Sequence, residues 1–321
     1  MLPAPAPTGR RRPAWSQVPA SVRAAIEDRL GDAVVAAGSR DGGYSQGLAS
    51  VLTTAGGGRV FVKAVGPDHE FTQRLYREEA RRVALLPAGV PAPGLRWSLR
   101  ADDDAGAWEV LAFDAGAGRN PLTPWRDDEL AAVARLCDRL AEITVAADTL
   151  PECADETLTG YWARLAGGDG AGLDTYDPWA AANLDRLADL DGYAADAVRG
   201  ASLVHGDLRG DNVLVDPARP GFAPVAVDWP YAVRGAAFVN LVAMLPAVRV
   251  EGGPEPEELL AAHPLPVGTD PDAVTAFLVG LAGYFVHSSL QAPPPGIPHL
   301  RAFQRAQGEV CVRWLRHRLG G

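Results

Sequence analysis

Apolar residues recur along this chain with two different periods, and the changes of period mark its organisation. Val22, Ile26 and Leu30 keep helical spacing behind Pro19 and before Gly31, which predicts a first helix over 19–30. The period then falls to two. Residues 33–37, 48–54 and 59–65 read as strands, and Ala55-Gly56-Gly57-Gly58 reads as a hairpin turn, because glycine accepts the positive φ such turns need. A helix over 70–86 follows, stopped by Pro87. Two more strands lie near 95–99 and 108–113, separated by the acidic turn Asp102-Asp103-Asp104. This half reads as a small antiparallel sheet carrying one inserted helix.

From Asp127 the helical period dominates: Leu130, Val133, Leu136, Leu140 and Ile143 share one stripe. A β-like stretch over 203–227 interrupts it. Helices resume near 236–245, 271–290 and 300–319, with Pro/Gly-rich loops at 251–269 and 292–298. No uninterrupted apolar run approaches the ~18 residues of a membrane span, so none is expected. Residues 1–16 hold an arginine cluster with no apolar stretch behind it, and read as a disordered tail rather than a signal peptide.

Composition adds three things. Cys137, Cys153 and Cys311 are odd in number and widely spaced, which points to reduced thiols in a cytoplasmic protein and not to a disulfide frame. A net charge of −10 argues against nucleic acid as the main partner. Of the 30 basic residues only one, Lys63, is lysine. Its neighbours Val62 and Ala64 exclude a Walker A loop, and Val60 three residues before it excludes a Ser-x-x-Lys nucleophile.

The stretch richest in chemistry is His205-Gly206-Asp207 through Asn212, flanked by apolar runs, followed by a second run that ends at Asp228-Trp229-Pro230. It reads as a hairpin presenting oxygen donors at its base. Asn212 and Asp228 are hard oxygen ligands of the kind Mg²⁺ takes. Asp207 has no basic partner evident in the sequence and is suited to accept a proton from a substrate hydroxyl. His205 reads as a structural histidine bonding backbone, and His287 with the remaining histidines as surface groups.

These residues resemble the aminoglycoside phosphotransferase/choline kinase group of small-molecule kinases, over residues 19–318. His205-Gly206-Asp207 with Asn212 resembles the catalytic loop, and Asp228-Trp229-Pro230 the start of the metal-binding motif. Gly42-Gly43-Tyr44-Ser45-Gln46-Gly47 is similar to the nucleotide-covering loop, and Phe61-Val62-Lys63 to the strand with the phosphate-binding lysine. Glu79 matches the helix glutamate that pairs with that lysine, and Glu78 is one residue off the match.

The resemblance implies an α+β, bilobal protein-kinase-like fold. Its N-lobe would be a small antiparallel sheet with one helix (17–115, nucleotide-binding), and its C-lobe larger and mainly helical (116–321, catalytic loop and acceptor), with ATP between them. It implies Asp207 as catalytic residue and Asn212 and Asp228 as Mg²⁺ ligands. ATP would be held by Lys63, with Glu79 pairing it, by the Gly42, Gly43 and Ser45 loop, and by backbone at Phe113 and Ala115. The implied reaction is ATP- and Mg²⁺-dependent O-phosphorylation of a small-molecule hydroxyl, by a monomer or homodimer. Where relatives carry a structural aspartate, this chain has Asn240, which accepts hydrogen bonds more weakly.

The acceptor has two readings. Residues 150–200 supply ten acidic and three basic side chains. Most read as a solvated face, but negative surfaces attract cations, which suggests a cationic antibiotic such as an aminoglycoside, met by Asp155, Glu156, Asp174 and Asp177. A metabolic kinase of the choline, homoserine or methylthioribose type is the alternative, as is a catalytically silent nucleotide-binding member. A serine hydrolase is the remaining class, because Gly43-Tyr44-Ser45-Gln46-Gly47 fits Gly-x-Ser-x-Gly. That elbow needs a helix directly after it, and here a strand is predicted.

Overall fold

The computed structural model describes residues 12–40, 46–156, 159–218, 223–293 and 299–320. In chain order the first elements are α1 (Ala20–Leu30), β1 (Val34–Ser39), β2 (Leu48–Thr54), β3 (Arg59–Val65), α2 (Glu70–Val83), β4 (Leu95–Asp103) and β5 (Gly106–Asp114). Then come α3 (Asp127–Glu142), α4 (Cys153–Glu156), α5 (Tyr161–Arg164), α6 (Leu173–Tyr176), α7 (Pro178–Ala182), α8 (Leu184–Asp191) and α9 (Ala194–Ala197). The last part holds β6 (Ser202–Val204), β7 (Val213–Leu214), β8 (Val225–Ala226), β9 (Val233–Gly235), α10 (Val239–Val250), α11 (Pro256–Ala262), α12 (Pro271–Leu290) and α13 (Leu300–Arg318). These residues fall into two compact units. Of the described residues, those within 12–120 and 214–231 form one, and those within 121–213 and 232–320 the other.

The first unit is built on one antiparallel sheet in the order β1-β2-β3-β5-β4. Its side chains alternate as a pleat requires. On β3, Val60, Val62 and Ala64 face a cluster with Val22 and Ile26 of α1 and Leu48 and Leu52 of β2. The intervening Phe61 and Val65 join a second cluster with Tyr76 of α2, Leu111 and Phe113. Lys63 shares the parity of Phe61 and Val65, and so projects to the α2 side of the central strand. Trp15–Gln17 form a short 3-10 helix ahead of α1, and the Arg12 guanidinium donates to the Gly47 carbonyl at 3.2 Å.

The second unit is helical around α12, which packs against α5, α8, α9, α10 and α13. By length and composition α12 is apolar enough to cross a membrane, and 61% of that stretch is buried inside the protein. The sequence expectation of no such segment rested on uninterrupted runs. Gly280, Gly283, Tyr284 and His287 break the run, yet they leave the helix apolar because its faces pack on other helices. The loop expected over 251–269 contains α11, started by Pro256 in its first turn.

Of the β-like stretch expected over 203–227, only the part after Asn212 forms a hairpin, β7 with β8. The first strand of the stretch, β6, pairs instead with β9, in register Leu203 with Arg234 and Val204 with Val233. Short apolar runs carry no signal for partner choice, and here each run pairs with a strand from further along the chain. All three cysteines are buried free thiols.

Candidate active site

Two groups of polar residues stand out, one in each unit. In the first unit, Lys63 lies mid-strand, opposite Ala49 of β2 and Leu111 of β5, and is 8% exposed. A buried ammonium needs partners, and three carboxylate oxygens supply them. Its Nζ donates to Glu79 Oε1 and Oε2 at 2.8 and 2.7 Å and to Asp228 Oδ1 at 2.8 Å. The rings of Tyr76 and Phe113 lie 5.7 Å from the same nitrogen. Burial pushes the lysine pKa down, but the Asp228 and Glu79 charges outweigh it, so the ammonium is held protonated. Burial drives Glu79 above the usual carboxylate range, and Lys63 pulls it back.

Helical geometry explains why Glu79 and not Glu78 meets the lysine. Thr72, Tyr76 and Glu79 repeat at i, i+4, i+7 and are all buried. Glu78 is turned about 100° from Glu79 and pairs instead with Arg81 and Arg82, at 2.8 and 3.3 Å. Asp228 is the one non-glycine among the described residues with positive φ, at 69°. That left-handed turn brings the next amide, Trp229 N–H, to Glu79 Oε1 at 3.4 Å, while the Trp229 ring is 2% exposed.

In the second unit, β6 delivers the loop from His205 to Asn212. Gly206 has φ 81°, a backbone conformation that side-chain-bearing residues rarely adopt. The Asp207 N–H donates to His205 Nδ1 at 3.3 Å, which makes His205 a loop brace. Asn212 Nδ2 donates to the Asp207 carbonyl at 2.8 Å and to its Oδ2 at 3.2 Å. The Asp207 side chain stays 36% exposed. It also has a basic neighbour, contrary to the sequence reading: Arg209 Nη2 lies 3.5 Å from Asp207 Oδ2, while the same guanidinium grips Asp211 at 3.1 Å through Nε and Nη2.

Asn240 of α10 anchors this loop in two directions. Its Oδ1 accepts from the His205 N–H at 2.9 Å and its Nδ2 donates to the Leu203 carbonyl at 2.8 Å. The amide therefore does what a carboxylate cannot. Asn240→Asp should turn that donor into a second acceptor facing a carbonyl, at a site 2% exposed. We expect a loss of about 1–3 kcal/mol, read as a fall in Tm of several degrees. An unchanged or higher Tm would remove this role from the amide.

Beneath the loop, Trp125 Nε1 donates to Glu251 Oε2 at 2.9 Å. A Cβ on Gly210 would come within 3.1 Å of the Trp125 ring and 3.2 Å of Glu251 Oε2, so only glycine passes there without a shift. Burial pushes the Glu251 carboxyl up to about 7, with the Asp211 charge adding and the Trp125 bond opposing. In the unfolded chain it titrates near its ordinary value of 4.5. The folded state thus keeps a proton that the unfolded state releases. The associated stability is whole below that ordinary value and is lost as pH rises through about 7. Glu251→Gln keeps the Trp125 bond and removes the titration. The variant should gain roughly 1–2 kcal/mol on wild type between about pH 5 and pH 8, measured by urea unfolding at each pH. Parallel pH profiles for the two proteins would refute this.

The profile of the Phosphotransferase enzyme family (APH) matches residues 41–277. The chain belongs to that phosphotransferase family. Solved structures share its protein-kinase-like α+β fold over nearly the whole chain. A thermostable mutant of aminoglycoside phosphotransferase APH(4)-Ia is 15% identical with a TM-score of 0.57, covering 91% of this chain and 98% of that one. Spectinomycin phosphotransferase APH(9)-Ia, in complex with ADP and spectinomycin, is 12% identical with a TM-score of 0.58, covering 90% and 97%. Choline kinase LicA from Streptococcus pneumoniae is 17% identical with a TM-score of 0.56, covering 91% and 98%. No curated protein matches the chain.

In this phosphotransferase, then, Lys63, Glu79 and Asp228 meet in one unit, and Asp207 and Asn212 meet in the other. Phe113 lies within the ladder, opposite Phe61 and Leu95, and Ala115 just past the end of β5. Gly42, Gly43 and Ser45 lie outside the described residues. Strand β2 begins at Leu48, directly after that loop, so the helix a serine nucleophile elbow needs is not there. The four acidic acceptor candidates are scattered. Asp155 and Glu156 are exposed on α4, and Asp174 is exposed on α6. Asp177 caps α7 through Trp179 N–H and Ala180 N–H and pairs with Arg316. Sequence reading missed Arg209, which sits in the loop it had singled out, and Glu251, an ordinary-looking acid at a helix end.

Proposed function

We propose that this phosphotransferase moves the γ-phosphoryl group of ATP to a hydroxyl of a small molecule, with Mg²⁺. The observation that carries the reading is Lys63, a buried ammonium held by Glu79 and Asp228. In this reading residues 17–115 bind nucleotide and 116–321 supply the catalytic loop and the acceptor site. Lys63 contacts the α- and β-phosphates and Glu79 positions it. Phe113 and Ala115 offer backbone to adenine, and Gly42, Gly43 and Ser45 cover the phosphates. Two solved relatives in the same fold carry AMP-PNP with hygromycin B, and ADP with spectinomycin, which supports nucleotide and small-molecule substrates.

The donor chemistry fits the metal. Asn212 commits its Nδ2 to Asp207, which turns its carbonyl oxygen away as a hard donor. Asp228 gives Oδ1 to Lys63, and its side chain is 41% exposed. Asn212 and Asp228 would hold Mg²⁺, which when bound neutralises charge on the transferring phosphoryl group. Asp207 accepts the proton of the acceptor hydroxyl, or orients that hydroxyl, through its exposed carboxylate. The test is ADP release from ATP across antibiotics and hydroxylated metabolites, with an Asp207 variant as blank. ATP binding without turnover of any acceptor would favour the silent binding member instead.

The acidic segment suggested a cationic antibiotic as acceptor. The residues next to Asp207 favour a different class.

A further inference from the structure

Around Asp207 the second unit assembles a patch that is aromatic and basic rather than acidic. Arg209, 3.5 Å from the Asp207 carboxylate, lies over the Phe303 ring of α13 at 5.6 Å. The next residue, Gln304, donates from Nε2 to the Tyr284 hydroxyl on α12 at 3.1 Å, and accepts from Arg301 Nη1 at 2.7 Å. Tyr284 meets Tyr161 of α5 edge to face, with centroids 5.5 Å apart, and Tyr161 meets the His287 ring at 5.2 Å. Arg164 covers the Tyr161 ring at 4.9 Å. The link to Asp207 runs through Arg209 and Phe303 to the adjacent Gln304 and its Tyr284 partner. Tyr161, Tyr284 and His287 are all half-buried and so keep surface for contact.

Three arginines frame this patch. Three carboxylates meet it: Arg209 grips Asp207 and Asp211, and Asp191 is turned onto the backbone at the start of α5, where it accepts from the Gly160 N–H at 2.7 Å. A cation approaching the aromatic rings meets Arg164 already seated on Tyr161 and like-charge repulsion from Arg301, while the Arg209 charge is answered by its two carboxylates. An uncharged or anionic ring meets the opposite: a stacking surface and guanidinium donors. The acidic side chains that suggested a cationic acceptor are dispersed, and Asp177 is consumed as a helix cap and arginine partner.

We propose that the acceptor is a ring-bearing hydroxyl compound, uncharged or anionic, that docks on Tyr161 and Tyr284 with Arg301 reading its acidic or polar substituent. Polycationic aminoglycosides are then poor acceptors. This rests on the phosphotransferase reading for the role of Asp207, but its test needs no turnover.

The experiment is calorimetric titration of the full chain without nucleotide, using p-nitrophenyl glucoside, p-nitrophenyl glucuronide and kanamycin. The glucuronide should bind tightest and kanamycin weakest. Tyr161→Leu should weaken both ring compounds by about tenfold, and Arg301→Gln should narrow the gap between glucuronide and glucoside by about tenfold. Tighter binding of kanamycin overturns the proposal. So does an unchanged affinity in a Tyr161→Leu protein that melts like wild type, or no binding of either ring compound at millimolar concentration. Should Tyr161→Leu fail to fold, Tyr161→Phe, which keeps the ring, and Arg301→Gln carry the test: the first should retain binding and the second lose the charge preference. Failure of the phosphotransferase reading would appear elsewhere, as absent Asp207-dependent ADP release in the acceptor screen.

Discussion

Asp207→Asn should abolish phosphoryl transfer while leaving ATP affinity and folding almost intact. The substitution is nearly isosteric. Its amide oxygen can still accept from Asn212 Nδ2, which now donates to Asp207 Oδ2 at 3.2 Å, and the His205 brace uses the backbone N–H and not the side chain. Only the basicity and charge of the carboxylate disappear, together with the 3.5 Å ion pair to Arg209. Removing a positioned proton acceptor costs about 10²–10⁴-fold in kcat. The comparison needs kcat from ADP release and Kd for Mg-ATP by titration. A kcat within tenfold of wild type would remove Asp207 from proton transfer.

Lys63→Arg is the second large effect, and it is sharper because charge is conserved. The ammonium is a compact donor meeting three carboxylate oxygens at 2.7–2.8 Å, 8% exposed, walled by the Tyr76 and Phe113 rings. A planar guanidinium is broader, and its fixed fork cannot reproduce three convergent bonds from one nitrogen. We expect kcat/KM for ATP to fall by about 10²-fold, roughly 3 kcal/mol of transition-state stabilisation. Stability should move far less than in Lys63→Met, which would strand the buried Glu79 carboxylate without its cation. Kinetics and urea unfolding on both variants separate the two effects. Full activity in Lys63→Arg would make the solitary lysine an accident of a composition dominated by arginine.

Local rules carried much of the architecture. Strands β2 and β3 and helix α12 begin and end where alternation, glycine turns and proline starts place them, because those signals act over a few residues. The distinction between Glu78 and Glu79 was latent in the spacing of Thr72 and Tyr76, since a helix shows one face at i, i+4 and i+7. The pairing of β6 with β9, the appearance of α11 and the apolar burial of α12 were not legible in the same way. Each depends on residues far away in the chain, and a short apolar run reads alike whichever partner covers it.

The site divides along the same line. Residue types at fixed spacing, His205 to Asp207 to Asn212 and Lys63 to Glu79 to Asp228, stood out in the linear chain because the proposed phosphoryl transfer would draw on such oxygens and such an ammonium whatever surrounds them. The environment of Asp207 was not. Arg209 turning back on the carboxylate, Phe303 under it, and Tyr161, Tyr284 and Gln304 meeting from three helices depend on how those helices pack. The acidic surplus of residues 150–200 is a sum over a whole segment, and it suggested a cation. The field at Asp207 depends on which charges lie within a few ångströms, and only the folded packing of α5, α12 and α13 sets that.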